Sequence, residues 1–364
     1  MTAKRFLPVG KLPLALLNEQ IGRIRRADDR VVLGPRIGED AALIDFGDRF
    51  LVAKTDPITF ATDRIGWYAV HITANDVAVM GAQPRWFLAA LLLPEGRTDA
   101  DLVAAIFADI AAAGEQLGVT LIGGHTEITA GLDRPIIVGQ MLAEVEKARA
   151  VSKDQARVGD WILLTKGVAI EGTAVLARER DASLAQRVDA SILERAKAYL
   201  VNPGISVVAD ALTACSVARV HAMHDPTEGG ILGGLWELAA AASLGMHVVA
   251  ERIPVLPETR ILCQALGLDP LRLIASGALL IVAPPAECDR IIAALSERGT
   301  PVSIIGEMKD PAYGTKIETN GHIEPFDPPE RDEIARLFDS EQPRDPRASE
   351  ARGVSADRDD LKQM

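Results

Sequence analysis

The chain has 364 residues, 48% of them apolar and 25% charged, with a formal net charge of −12. That length allows a sizeable core and two domains, and the acidic balance argues against a nucleic-acid partner or an anionic membrane surface. Phosphate ligands stay open, provided a divalent cation stands between them and the protein.

Cys215, Cys263 and Cys288 are isolated, with no CxxC spacing, and no apolar run reaches the roughly eighteen residues of a membrane span. The cytoplasm is the expected compartment.

Residues 1–30 read as a flexible lead, with Gly10-Lys11 ahead of an amphipathic stretch from Leu14 to Arg25. Ala41 to Phe46 reads as a strand fed by the turn Gly38-Glu39-Asp40, and Phe50 to Lys54 as a second that runs into Thr55-Asp56-Pro57. Residues 63–80, DRIGWYAVHITANDVAVM, read as a helix with Thr62 or Asp63 as N-cap and Gly81 just past the end. Ile65, Tyr68, Ala69, Ile72 and Val79 form one apolar face, and Asp76 shares it. A carboxylate among aliphatic side chains is costly unless it is paired or binds a cation.

Trp86 to Leu93 is a continuous apolar run, hence a buried strand, and Thr98 caps a helix from Asp99 to Leu117 that Gly118 ends. Val119 to Ile122 reads as a strand broken by Gly123-Gly124-His125-Thr126-Glu127, and Pro135 to Val145 completes this half. Strand, strand, helix, strand, helix, strand, strand is an α+β layer pattern.

The polar stretch 146–160 places a boundary near residue 150, giving domains over 31–150 and 151–338. The second half alternates again: strand 161–165, helices 171–179 and 208–217, then His221 to Met223 extending toward His224-Asp225-Pro226-Thr227. A helix from Gly230 to Ala242 follows, then strands and helices to 308 and a hairpin around Asn320-Gly321. Residues 339–364 are polar and proline-broken and are expected to be disordered.

Acids gather in short motifs: Glu39 and Asp40 in GED, Asp56 in TDP, Asp76 in AND, Glu127 in GGHTE, Asp225 in HDPTEGG. Hard oxygen ligands next to small residues suit magnesium bridging to phosphate. No GxxxxGK[ST] loop and no strand-to-helix GxGxxG is present, so ATP would bind through a carboxylate–magnesium scheme. The alternatives stay open at each position. Glu39, Asp40 and Asp56 also suit turns, and Asp225 or Thr227 suits a helix N-cap. Asn75 also suits a buried polar pair, and Lys11 and Lys54 either neutralise phosphate or are surface charges. His125 and His224 are candidates for acid–base work or for loop hydrogen bonds.

GEDAALID (38–45), KTDPIT (54–59), the helix 65–84, LIGGHTEIT (121–129), GDWILLTKGVAIEGTAVLA (159–177) and HDPTEGG (224–230) together resemble the aminoimidazole-ribonucleotide (AIR) synthetase superfamily. That group includes selenophosphate synthetase, thiamine-monophosphate kinase and the hydrogenase maturation protein HypE, whose texture is nearest. The resemblance implies a two-domain α/β fold of AIR-synthetase type. Its N-terminal ferredoxin-like sheet would pair with that of a second copy into a dimeric β-barrel, and the second domain would be α/β. It implies ATP and Mg²⁺ as cofactors, with metal ligands among Glu39, Asp40, Asp56, Asp76, Glu127 and Asp225. Nucleotide contacts would come from Asp40, Asp56, Asn75, Gly123, Gly124, Thr126 and Thr227, and catalytic groups from Asp76, Asp225, Lys11 and His125. The lead bearing Lys11 would close over the triphosphate.

HypE-type proteins end in a cysteine that carries the substrate group, whereas this sequence ends Leu361-Lys362-Gln363-Met364. Carbamoyl dehydration on its own tail is therefore not expected, nor is selenophosphate synthesis, since no cysteine stands near Lys11. The expected activity is transfer of a γ-phosphoryl group to an amide or carbonyl oxygen of a small substrate in a homodimer. The alternatives are a kinase of thiamine-monophosphate type, a nucleotide-binding scaffold docking a maturation partner protein, and a metal hydrolase without nucleotide.

Overall fold

The computed structural model describes residues 7–24 and 27–339; apart from Asp339, the tail expected to be disordered lies outside them. The first half runs α1 (Leu14–Gly22), β1 (Val31–Leu33), β2 (Ala42–Asp45), β3 (Arg49–Ile58), α2 (Ile65–Ala78), β4 (Gln83–Pro94), α3 (Ala100–Leu117), β5 (Thr120–Thr129) and β6 (Ile136–Glu146). Its strands form one open sheet in the order β1-β2-β3-β6-β4-β5, all pairs antiparallel except β4 with β5.

The second half runs β7 (Trp161–Thr165), α4 (Ile170–Glu179), α5 (Asp181–Leu184), α6 (Ala190–Ala198), α7 (Val208–Val217), β8 (Ala222–His224), α8 (Gly230–Ala242) and β9 (Gly245–Val249). It continues through α9 (Pro257–Leu266), β10 (Leu280–Ala283), α10 (Pro285–Glu297), β11 (Val302–Lys309), β12 (Thr315–Thr319), β13 (His322–Pro325) and α11 (Glu333–Asp339). These strands make a second sheet, ordered β13-β12-β9-β11-β7-β10-β8.

Three expectations change. The strand ending at Lys54 continues through Asp56 and Pro57, because both pair with β6, opposite Gly139 and Val138. The GGHTE segment does not break its strand: β5 runs through it as the outer strand, paired in parallel with β4. Gly124 makes that pairing possible, since a Cβ there would stand 2.1 Å from the Ala89 carbonyl oxygen. Neither Thr62 nor Asp63 caps α2; the helix starts after Arg64 in a left-handed conformation, and the Glu179 carboxylate accepts from the N–H groups of Thr62 and Asp63 instead.

All fourteen residues of α2 are buried, so the helix is enclosed on every side, where a single buried face was expected. The first sheet covers one side; α3 and α7 meet others. A single apolar cluster runs through both halves around it, from Leu33 to Ile334. A second cluster fills the far side of the second sheet beneath α8.

The helical run 190–217 is long and apolar enough to cross a membrane by composition, but Asn202 interrupts it with φ −139° and ψ 111°. Leu193, Ala196 and Ala211 on this run are core side chains.

Asn75 joins the halves. Its amide donates to the Ile205 carbonyl at 2.8 Å and its oxygen accepts from the Val207 N–H at 2.8 Å. Removing it strands two buried backbone groups. Asn75→Ala should therefore lower unfolding free energy by about 2–4 kcal/mol, read from a denaturant midpoint at unchanged slope.

Candidate active site

Four separate pieces of chain carry acids to the seam between the halves. Gly38, at φ +81° and packed where a Cβ would lie 2.4 Å from the Glu237 carbonyl oxygen, lets the turn before β2 press against α8 and deliver Asp40. The end of β3 brings Lys54 and Asp56, α2 brings Asp76, the end of β8 brings His224 and the loop after it Asp225. Ligand atoms of Asp40, His224 and Asp225 all lie within 4.8 Å of one another, and all three residues are buried.

Lys54 Nζ donates to Asp76 Oδ1 at 2.9 Å and stands 3.8 Å from Asp56. Lys153 Nζ reaches Asp40 Oδ2 at 2.6 Å and also donates to the Gly38 carbonyl. The other Asp40 oxygen pairs with His224 Nδ1 at 2.7 Å, and His224 Nε2 pairs with Glu237 at 3.3 Å. Lys11 of the lead completes this chain, bonding Glu237 at 2.9 Å.

The charges do not cancel evenly. Among the described residues, neither oxygen of the buried Asp225 carboxylate has a hydrogen-bond partner, and Asp76 Oδ2 also has none. Burial, then the charges of Asp76 and Asp40, hold the Asp225 carboxyl well above the usual range. Burial also pushes Asp76 up to about 7, with Asp56 and Asp40 adding to the shift and Lys54 opposing it. Burial raises Asp56 too. Asp40 goes the other way: burial would raise it, but His224 and Lys153 together hold it below the ordinary carboxylate range. Orphaned, buried carboxylate oxygens converging on one place are the donor set a hard divalent cation takes.

The other candidates stand outside this hydrogen-bonded chain. Glu127 and His125 are exposed on β5; they bond each other, Glu127 also accepts from the Thr129 hydroxyl, and neither bonds the cluster. Gly123, Gly124 and Thr126 share that outer strand, exposed like their neighbours. Glu39 bonds Arg36 at 2.8 Å, and Asn75 is occupied by the backbone of 205–207. The Thr227 carbonyl accepts from Gly230 and Ala275 at the start of α8.

Two groups that the sequence reading passes over, Lys153 and Glu237, belong with the cluster, and so does His224. Lys153 lies in a stretch that reads as solvated linker, yet its side chain is 2% exposed. Glu237 sits in the apolar run GILGGLWELAAAA, the same signal that marked Asp76. Burial works against its ionisation, but the His224 hydrogen bond and Lys11 bring it down to about 2. Of the two candidate histidines the sequence assigns His125 the catalytic role, yet His224 is the one buried at the cluster.

The AIR synthase related protein family matches in two pieces, its N-terminal domain over residues 38–145 and its C-terminal domain over 157–317. The carbamoyl dehydratase HypE of Azotobacter vinelandii is 34% identical over 256 residues, covering 69% of this chain and 72% of that protein. Among solved structures, HypE in a HypE–HypF complex superposes with a TM-score of 0.70 at 24% identity, covering 86% of this chain and all of the other. HypE in complex with ATP gives 0.63 at 26% identity, covering 89% and 92%. The two sheets with their enclosing helices are thus the two-domain architecture of AIR synthetase, and this chain belongs to the AIR synthase related protein family.

Proposed function

We propose that the chain is an ATP- and Mg²⁺-dependent enzyme that transfers a γ-phosphoryl group to an amide or carbonyl oxygen of a small substrate. The observation that carries this reading is the buried Asp225 carboxylate with two unpartnered oxygens beside Asp40 and Asp76. Its relatives supply the rest: the Azotobacter protein is a carbamoyl dehydratase, and a structural neighbour binds ATP. Asp40, Asp56, Asp76 and Asp225 would hold magnesium, which would bridge to phosphate oxygens and neutralise charge there.

The remaining roles fall to side chains. Lys54, kept charged by Asp76 and Asp56 despite its burial, faces the incoming phosphates from β3. Lys11 ties the lead over the site through Glu237. His224 keeps Asp40 oriented and ionised.

A second copy is part of the reading. The first sheet turns Trp86, Leu88, Ala90, Leu92 and Val138 half-exposed to one side, and on the outer strand Leu121, Ile122 and Ile128 are exposed. An apolar face beside an unpaired edge strand suits a homodimer with the two sheets joined. His125 and Glu127 lie on that surface. By analogy with the HypE–HypF complex, a maturation partner protein is also proposed. The three free cysteines fit the cytoplasm.

Asp76→Asn should lower Mg-ATP turnover about a hundredfold or more with the fold retained, measured as ADP release; nucleotide binding without any turnover in the unmodified chain would favour a scaffold instead. Asp76 at about 7 and the raised Asp225 hold protons that a cation must displace. Apparent Mg²⁺ affinity in the presence of nucleotide should therefore rise as pH is raised through about 7, where Asp76 gives up its proton. Titration calorimetry in buffers of different ionisation enthalpy should show proton release that shrinks as pH rises. Light scattering on a sizing column should give a dimer, and Leu88→Asp should shift it toward monomer; a monomeric unmodified chain refutes the pairing.

A further inference from the structure

One cavity shares no lining residue with those at the carboxylate cluster. It has a volume of about 380 Å³ and lies where the linker between the halves passes the end of α2 and the last turn of α7. Gly81 makes that passage possible: at φ +77°, a Cβ there would lie 2.8 Å from the Arg149 carbonyl oxygen. The Val151 N–H donates to the Met80 carbonyl at 3.0 Å, which fixes the linker against α2. Val151 and Leu212 give the cavity apolar wall, and Arg149, Gln155, Cys215 and Arg219 give it polar groups.

Charge singles this cavity out. The chain carries a net −12, and the cavity of about 560 Å³ beneath Gly10 and Lys11 is walled by Asp56, Asp133 and Glu228. The one against the start of α8 is walled by Glu228, Glu237 and Asp332. No carboxylate lines the cavity at the linker, while two arginines do. Arg30, Arg36, Arg178 and Arg195 each hold a carboxylate, but among the described residues neither Arg149 nor Arg219 has an ion pair or a side-chain hydrogen bond. Burial pushes the Cys215 thiol up to about 11 against the pull of Arg149, so the sulfur adds no negative charge at neutral pH. The carbonyl end of α7 brings about half an elementary negative charge, against two full positive ones. The guanidinium charges prevail, and the walls concentrate their field.

We propose that this cavity binds a small organic anion by its phosphate or carboxylate head, gripped between Arg149 of the linker and Arg219 of the segment leading into β8. A guanidinium presents a planar fork of N–H donors that matches the oxygens of either head, and two forks suit a doubly charged one. The volume falls at the lower end of small-ligand sites, about 300–1,000 Å³, and leaves room for a short carbon body against Val151 and Leu212. A neutral ligand would leave both charges unmet, and a cation would be repelled. The site differs in kind from the carboxylate cluster, because its positive charge is supplied by side chains and it takes an anion without a metal. Bound there, the anion ties the linker to the segment whose strand ends in His224.

The test uses the full chain in EDTA, where the carboxylate cluster has no cation to offer a phosphate. Titration calorimetry is run with glycerol 3-phosphate, with malonate, and with glycerol as the uncharged control. At least one of the anions should bind once per chain with a Kd of about 1 mM or tighter, and glycerol should not bind. Arg149→Gln and Arg219→Gln alter exposed residues, should fold normally, and should each raise that Kd by about tenfold or more. Arg157→Gln, which removes another exposed arginine of the linker, should leave it within about twofold. Affinity for a fluorescent ATP analogue with Mg²⁺ should also stay within about twofold in all three variants. Cys215 is half-buried while Cys263 and Cys288 are buried, so its alkylation at a pH of about 9, followed by mass spectrometry, should slow when the anion is bound.

Binding of one anion alone supports the site and assigns its head group as phosphate or carboxylate. No binding of either anion at about 10 mM would overturn the site. So would an unchanged Kd in a folded Arg149→Gln or Arg219→Gln variant, an equal loss in Arg157→Gln, or a Cys215 that the bound anion does not protect.

Discussion

Asp225 is enclosed at the seam of the two halves with both carboxylate oxygens unpartnered, and its neighbours Asp40 and Asp76 are acids. Like charges in a medium that screens poorly repel strongly, and folded proteins have only about 5–15 kcal/mol of net stability to set against such terms. The arrangement is tenable in two ways: the acids keep protons, or a cation shares them. Most of the architecture serves to hold this one unfavourable cluster in place. The helix α2 is buried on every side, so Asp76 cannot turn to water. Asn75 beside it fastens the second half through the backbone of 205–207, which keeps the loop bearing Asp225 opposite the sheet that bears Asp56.

The lead is bound to the same cluster by a run of charged contacts. Lys11 meets Glu237, Glu237 meets His224, His224 meets Asp40, and Asp40 meets Lys153. Each member is oriented by the next, so the segment over the cavity and the turn carrying Asp40 are not independent. Truncating any internal member would leave a buried charge without its partner, which is far more costly than losing a surface ion pair. Asp40 and Glu237 are the ionised acids of the group because each has a basic partner on both oxygens, whereas Asp225 has none among the described residues.

Where phosphate is expected, acids are concentrated and a cation is needed. Asp56 lines the cavity beside them, near the end of a strand that runs on through Pro57. That continuation matters: a turn at Asp56, as its sequence suggests, would have released the carboxylate toward solvent, while pairing with Gly139 fixes it at the cavity wall.

Periodicity and capping made most elements legible before any coordinates, since helices such as 208–217 and 230–242 and the hairpin at Asn320-Gly321 carry their signals within a few residues. An acid inside an apolar helix marked Asp76 for the same local reason, and the short acid motifs identified Asp40, Asp56 and Asp225. Pairing across the sheet was not local. Gly123 and Gly124 read as a break, but Gly124, where a Cβ would strike the Ala89 carbonyl, instead admits close parallel pairing with β4, which carries Glu127 out to the outer strand. Lys153 looked like linker and Glu171 like an ordinary first-turn acid, because burial depends on what the rest of the chain lays over them. Sequence alone determined which residues could not be comfortable in an apolar core. Tertiary structure decided which of them were brought together and which found a countercharge, because convergence and burial belong to distant segments and not to neighbours in the chain.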